Sequence, residues 1–73
     1  MPEPLDLDTL LTETDRLRAL ARSILRDAHG AEDIAQEACA AALQSGIRFE
    51  DESGLRAWLT RVTQNLARSR VRR

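Results

Sequence analysis

The chain has 73 residues, enough for one small domain, and a domain this size buries only about 60% of the surface its unfolded form exposes. Its 11 basic residues are all arginine, its 12 acids leave a net charge of −1, and its single cysteine cannot close an internal disulfide, so nothing points to an oxidising compartment. The acidic N-terminus has no long apolar run and is neither a signal peptide nor a membrane span, which leaves a cytoplasmic protein as the expectation.

Ala, Leu and Arg dominate the sequence, and together with its Glu and Gln these are the residues that enter a helix at least cost. Pro2 and Pro4 sit only in residues 1–7, which read as a flexible tail. From Asp8, a candidate N-cap, apolar and small positions recur at helical spacing: Leu10, Thr14, Leu17, Leu20, Ala21, Ile24 and Leu25. The first helix is therefore expected over about 8–27. Gly30 closes the short connection after it, where glycine can turn left-handed without steric cost.

A second helix is expected over 31–45. Its stripe of Ile34, Ala35, Ala38, Cys39 and Ala42 is small enough for a neighbour to approach closely, and Cys39 reads as a small core hydrophobe. Gly46 ends it. The connection 46–53 contains Ile47 and Phe49, of which at least one should fold back onto the core. Ser53 is the expected N-cap of a third helix over 54–72, with Leu55, Trp58, Leu59, Val62 and Leu66 on one stripe. Three such helices with short connections predict an all-α bundle.

Charge divides sharply along the chain. Residues 1–52 hold all 12 acids against 5 arginines, whereas residues 53–73 hold 6 arginines and no acid. A basic end on an acidic body suits two partners, a polyanion and a basic protein surface. On the third helix Arg61, Asn65, Arg68 and Arg72 share one face. Guanidinium groups pair with phosphates through two parallel N–H bonds, and an asparagine amide can read a base edge. The plain alternative is a solvated basic face; the lack of acids over 21 residues argues against it, because soluble helices mix signs for i,i+4 support. Trp58 lies in the apolar stripe, which favours core packing over stacking on an unpaired base.

On the second helix Glu32 and Gln36 share one face, and Asp33, Glu37 and Gln44 another. Such a surface can dock on a basic helix or simply confer solubility. No histidine stands at ligand spacing, and His29 reads as a surface residue in a turn. No catalytic motif, metal site or cofactor site is expected.

The segment Ala31-Glu32-Asp33-Ile34-Ala35-Gln36-Glu37-Ala38 resembles region 2.2 of the sigma-70 family of bacterial transcription factors. The segment from Leu55 to Arg68 resembles their region 2.3–2.4 helix in the extracytoplasmic-function branch, and Leu17 to Arg26 is similar to region 2.1. The resemblance covers about residues 8–73, with the motifs in order. It implies a region 2 domain that binds core RNA polymerase and recognises and melts the promoter −10 element. It places the β′ coiled-coil contact on Asp33, Gln36, Glu37 and Glu32. It places contact with promoter DNA on Arg61, Asn65, Arg68 and Arg72. A pocket for an unstacked non-template base falls on the loop from Arg48 to Ser53. An anti-sigma factor is a further implied partner.

The sequence departs from the family pattern at Ser69, where acid is common, at Cys39-Ala40-Ala41-Ala42, where bulkier residues are usual, and in the acidic loop Glu50-Asp51-Glu52. The helix-turn-helix region 4 that reads the −35 element is expected to lie in a longer parent chain or to be absent. The competing expectation is a small helical adaptor that binds polymerase or an anti-sigma factor without opening DNA.

Overall fold

The computed structural model describes residues 7–72, so most of the expected tail lies outside the described residues. Three helices fill it: α1, Leu7–Leu25; α2, Ala28–Gln44; and α3, Glu52–Val71. No strand occurs among the described residues, and the chain is an all-α bundle with extents of 40 × 19 × 17 Å. Side-chain pairs give the directions. Glu13 meets Arg56 and Arg16 meets Thr60, so α1 and α3 run parallel. Thr14 meets Cys39 and Arg18 meets Glu32, so α2 runs antiparallel to α1.

The helix ends differ from the sequence expectation in three instructive places. Asp8 lies inside the first turn of α1 rather than before it. Helix α2 starts at Ala28, because the Asp27 carboxylate caps it by accepting from the His29 N–H at 3.1 Å. Gly30 is thus a buried residue inside the helix, and a Cβ there would stand 2.9 Å from the Asp27 carboxylate. The left-handed position falls instead on Arg26, with φ of 60°. Helix α3 starts at Glu52, capped by Asp51, whose carboxylate accepts from the Gly54 N–H at 2.8 Å; Ser53 is in the first turn. In both cases a carboxylate at the positive end starts the helix earlier than expected, and at α3 it takes the place of Ser53. Gly46, with φ of 70°, follows the C-cap Ser45 of α2.

The core consists of Leu10, Leu17 and Ala21 of α1, Ala31, Ile34, Ala35, Ala38 and Ala42 of α2, and Leu55, Leu59 and Ala67 of α3. Cys39, Phe49, Trp58, Val62 and Leu66 are partly buried against it, while Ile47 is exposed. Phe49 meets Trp58 edge-to-face at 5.8 Å, which pins the loop onto α3. The buried row of α3 runs Leu55, Leu59, Thr63, Ala67 and includes a threonine that hydrophobic periodicity overlooks.

Thr63 is fully buried and its hydroxyl has no hydrogen-bond partner among the described residues. An unsatisfied hydroxyl in a packed core costs on the order of 1–3 kcal/mol. Thr63→Val keeps the branched shape and removes that group. It is expected to stabilise the domain by about 1 kcal/mol, raising the thermal midpoint by about 4–8 °C; calorimetry showing a lower midpoint would contradict this account.

Candidate functional site

Helix α3 carries the basic face. Its buried row is centred roughly 180° around the helix from Arg61, Asn65, Arg68 and Arg72. The apolar stripe through Trp58 and Val62 lies nearer to this face; burial of Thr63 and Ala67 sets the core row on the far side of it. All four residues are exposed, and their side chains have no hydrogen-bond or ion-pair partner among the described residues. They span about 16 Å along the axis. Trp58 borders this face, half-buried beneath Phe49.

The other two expected DNA residues stand apart. Arg48 is exposed in the loop, and Ser53 is exposed in the first turn of α3, about 12 Å along the axis from Arg61. The loop therefore lies at the opposite end of the stripe from Arg72. Glu50 and Glu52 are exposed there, and Asp51 is committed to its cap.

Helix α2 carries the acidic face, with Glu32, Asp33, Gln36 and Glu37 all exposed. They are not equivalent. Glu32 lies 3.3 Å from Arg18 and accepts from the Gln36 amide at 3.4 Å. Asp33 lies 4.0 Å from Arg70, whose guanidinium also donates to the Gly30 carbonyl at 3.2 Å. Glu37 has no such tie among the described residues. It is the acid of this face left open to a partner.

One cluster escaped sequence reasoning. Glu13 is buried between α1 and α3 and accepts from Arg16 at 2.9 Å and from Arg56 at 3.2 Å. Arg16 reaches on to the Thr60 hydroxyl at 2.9 Å and the Arg56 carbonyl at 3.3 Å. This clamp fixes the N-terminal half of α3, and with it the start of the basic face. A signal existed: Glu13 stands at i+3 from Leu10 and i−4 from Leu17, a core register held by a charge. Burial pushes the Glu13 carboxyl up, but hydrogen bonds and charges from Arg16 and Arg56 together outweigh it, leaving the group below its ordinary value.

An open cavity beside this clamp, about 160 Å³, is lined by Asp8, Thr9, Thr12, Glu13, Glu52 and Arg56. That is below the roughly 300–1,000 Å³ usual for small-molecule sites. Among the described residues no group of three or more His, Cys, Asp or Glu is placed to hold a metal ion, and no helix is long and apolar enough to cross a membrane.

Comparison with known proteins bears on this geometry. The family model described as "Sigma-70 region 2" matches residues 11–73. The ECF RNA polymerase sigma factor EcfG of Rhodopseudomonas palustris (strain TIE-1) is 38% identical over 66 residues, which are 90% of this chain and 36% of that protein. The chain thus spans about a third of the length of the curated relative it matches. No solved structure matches.

The Glu13 clamp gives a signed pH dependence. A depressed carboxyl adds stability that is complete above its unfolded-state value, near 4.5, and is lost as pH falls through its lower folded value. Acid unfolding followed by circular dichroism should show this loss below about pH 4.5, and Glu13→Gln should flatten it. Because both arginines are partly exposed and can rehydrate, Glu13→Gln is expected to cost about 1–2 kcal/mol at neutral pH, below the 3–5 kcal/mol of a fully buried pair. An unchanged acid limb would remove Glu13 from this role.

Proposed function

The chain belongs to the sigma-70 region 2 family, and from that premise we propose that it is the polymerase-binding, promoter-melting module of a transcription-initiation factor of the extracytoplasmic-function branch. The observation that carries the DNA half is the outward face of α3: Arg61, Asn65, Arg68 and Arg72 are exposed, free of internal partners among the described residues, and opposite the buried row. Arginines that stabilise nothing within the fold are available for phosphates.

In this reading Arg61, Arg68 and Arg72 hold the DNA backbone by paired N–H contacts. Asn65, between them, takes a base edge of the −10 element. The loop from Arg48 to Ser53 receives an unstacked non-template base, and that contact offsets an unpairing cost of a few kcal/mol. Helix α2 docks on the β′ coiled coil of core polymerase through Glu37 foremost, then Gln36, Asp33 and Glu32. The polymerase supplies all covalent chemistry, and this domain supplies binding energy and position. An anti-sigma factor covering either face would silence it. The setting is the bacterial cytoplasm.

A second reading, an adaptor that binds polymerase or an anti-sigma factor without opening DNA, is favoured by one feature, the exposed Glu50 and Glu52 beside the loop, which repel phosphate. A crosslink from a single-stranded −10 non-template oligonucleotide to residues 48–53 in the polymerase complex would decide for the melting role; crosslinks confined to polymerase would decide for the adaptor.

Two substitutions separate the faces. Glu37→Arg is expected to abolish capture by core polymerase while leaving the thermal midpoint within about 2 °C, since an exposed charge contributes little to folding; retained capture would refute the α2 assignment. Asn65→Ala is expected to weaken binding of the −10 oligonucleotide in the polymerase complex by about 1–2 kcal/mol, with capture by polymerase unchanged. Equal oligonucleotide binding by both proteins would remove Asn65 from base reading.

A further inference from the structure

Four large apolar side chains stand out in solvent among the described residues: Leu11, Leu43, Ile47 and Val71. Val71 is at the end of α3, and the other three gather at the opposite end of the bundle. Thr14 meets Cys39 at 3.5 Å and Arg18 lies 3.3 Å from Glu32, and these two pairs mark one edge along which α1 and α2 face each other. Leu11 stands one turn before Thr14 on α1, and Leu43 stands one turn beyond Cys39 on α2. Because the helices are antiparallel, Leu11 and Leu43 form the next pair of that seam. Ile47 follows in the turn after Gly46, where its N–H donates to the Ser45 hydroxyl at 3.1 Å.

Their exposure runs against the composition of the core. A bundle that fills the inner row of α2 with alanine leaves Leu11, Leu43 and Ile47 in water at 61%, 55% and 45% exposure. Single exposed apolar residues need no explanation, but apolar residues that gather within a polar rim mark a contact surface. The rim is present, with Asp15 and Gln36 along the seam and Ser45 at the turn, all exposed.

The patch is continuous with the acidic face of α2. At 100° per residue the exposed Ala40 lies near the middle of the outward side of α2, opposite its buried row. Gln36 and Leu43 lie on the flank toward α1, where the Gln36 amide donates to Glu32. Asp33 and Glu37 lie on the flank toward α3, which the approach of Arg70 to Asp33 marks. A helix laid across Ala40 can come close, because only a methyl group stands beneath it. Such a helix meets carboxylates and an amide first, and Leu43 with Leu11 about 10 Å further along.

We propose that Leu11, Leu43 and Ile47 form the apolar anchor of the polymerase interface, on which a large apolar side chain of the docking basic helix seats beyond its contacts with Gln36 and Glu37. This rests on the reading of α2 as the polymerase face, and it makes α1 part of that face. Charge decides the occupant: a segment that also lies along Asp33 and Glu37 needs cations, whereas a second copy would bring its own acidic row against this one. The two parts of the surface divide the work. Exposed carboxylates steer and orient the encounter, and the desolvated apolar contact sets how long the complex lasts.

The test measures association and release of the whole chain on core polymerase at low and at high salt. The double substitution Leu11→Ser with Leu43→Ser is expected to speed release roughly tenfold, by the same factor at both salt concentrations, with association little changed. Glu37→Gln is expected to slow association instead, and that effect is expected to fade as salt rises. The thermal midpoint of the double variant is expected to stay within about 3 °C, since both side chains are exposed. Ile47→Ser, which touches no helix, is expected to speed release several-fold and tests the anchor independently of helix stability. Unchanged release by both leucine and isoleucine variants, while Glu37→Arg still abolishes capture, would overturn the anchor and leave the α2 reading in place. Retained capture by Glu37→Arg would remove that reading and the anchor with it. The free chain is expected to sediment as a monomer; a dimer that the double substitution dissolves would assign the patch to a second copy and overturn the proposal.

Discussion

The alanine row of α2 limits how much apolar area this bundle can bury, and its charged ties follow from that limit. Ala31, Ala35, Ala38 and Ala42 are fully or almost fully buried, and each removes far less surface from water than a leucine would. They let α1 and α3 lie close to α2. They leave the large apolar contribution to Leu10, Leu17, Ile34, Leu55 and Leu59. A domain of this size has little margin, so links that in a larger protein would be incidental carry weight here. The Glu13 clamp joins α1 to α3, the Arg18–Glu32 pair joins α1 to α2, and Arg70 joins α3 to the start of α2. Each of the three helix pairs thus has a polar tie as well as an apolar contact.

Those ties sort one residue type into two uses. The chain has no lysine, so arginine carries all of its permanent positive side-chain charge, and its direction on each helix decides what it does. On α3, Arg56 and Arg70 project toward the neighbouring helices and are taken up by Glu13, Asp33 and the Gly30 carbonyl. Arg61, Arg68 and Arg72 project the other way. A count of six arginines without an acid in the last stretch therefore overstates the charge offered to a ligand. The same logic applies to the acids of α2, where Arg18 and Arg70 partly compensate Glu32 and Asp33 but not Glu37.

Much of this was legible in the sequence, for reasons that also mark where reading fails. The helices follow from apolar period and from glycine and capping residues, and the stripes on α1 and α2 name most of the buried positions. The boundaries moved because two carboxylates, Asp27 and Asp51, cap the helices ahead of the expected start at Ala31 and the expected cap Ser53, and periodicity does not weigh such caps. On α3 the stripe through Trp58 and Val62 was traced along its apolar residues, whereas the buried row passes through Thr63 and Ala67. A threonine in a core register carries no hydrophobic signal. Glu13 was missed for the same reason, since its burial depends on arginines 3 and 43 residues away. The exposed faces were legible because exposure needs no partner. Which of their charges are compensated was not, because compensation is a property of the packed helices.

Asp33 shows how the two faces stay compatible on so narrow a bundle. It belongs to the acidic face of α2, yet it lies 4.0 Å from Arg70 on the helix that bears the basic face. Both side chains are substantially exposed, and an exposed pair at that distance contributes about 0–1 kcal/mol. A basic helix docking on α2 can take Asp33 at little cost to the fold, because Arg70 keeps its hydrogen bond to the Gly30 carbonyl. Glu13 is the opposite case: buried between two guanidinium groups, it cannot be withdrawn without loosening α3. Exchangeable charge therefore sits at the faces and fixed charge between the helices, so a partner can bind α2 without disturbing the scaffold that presents α3.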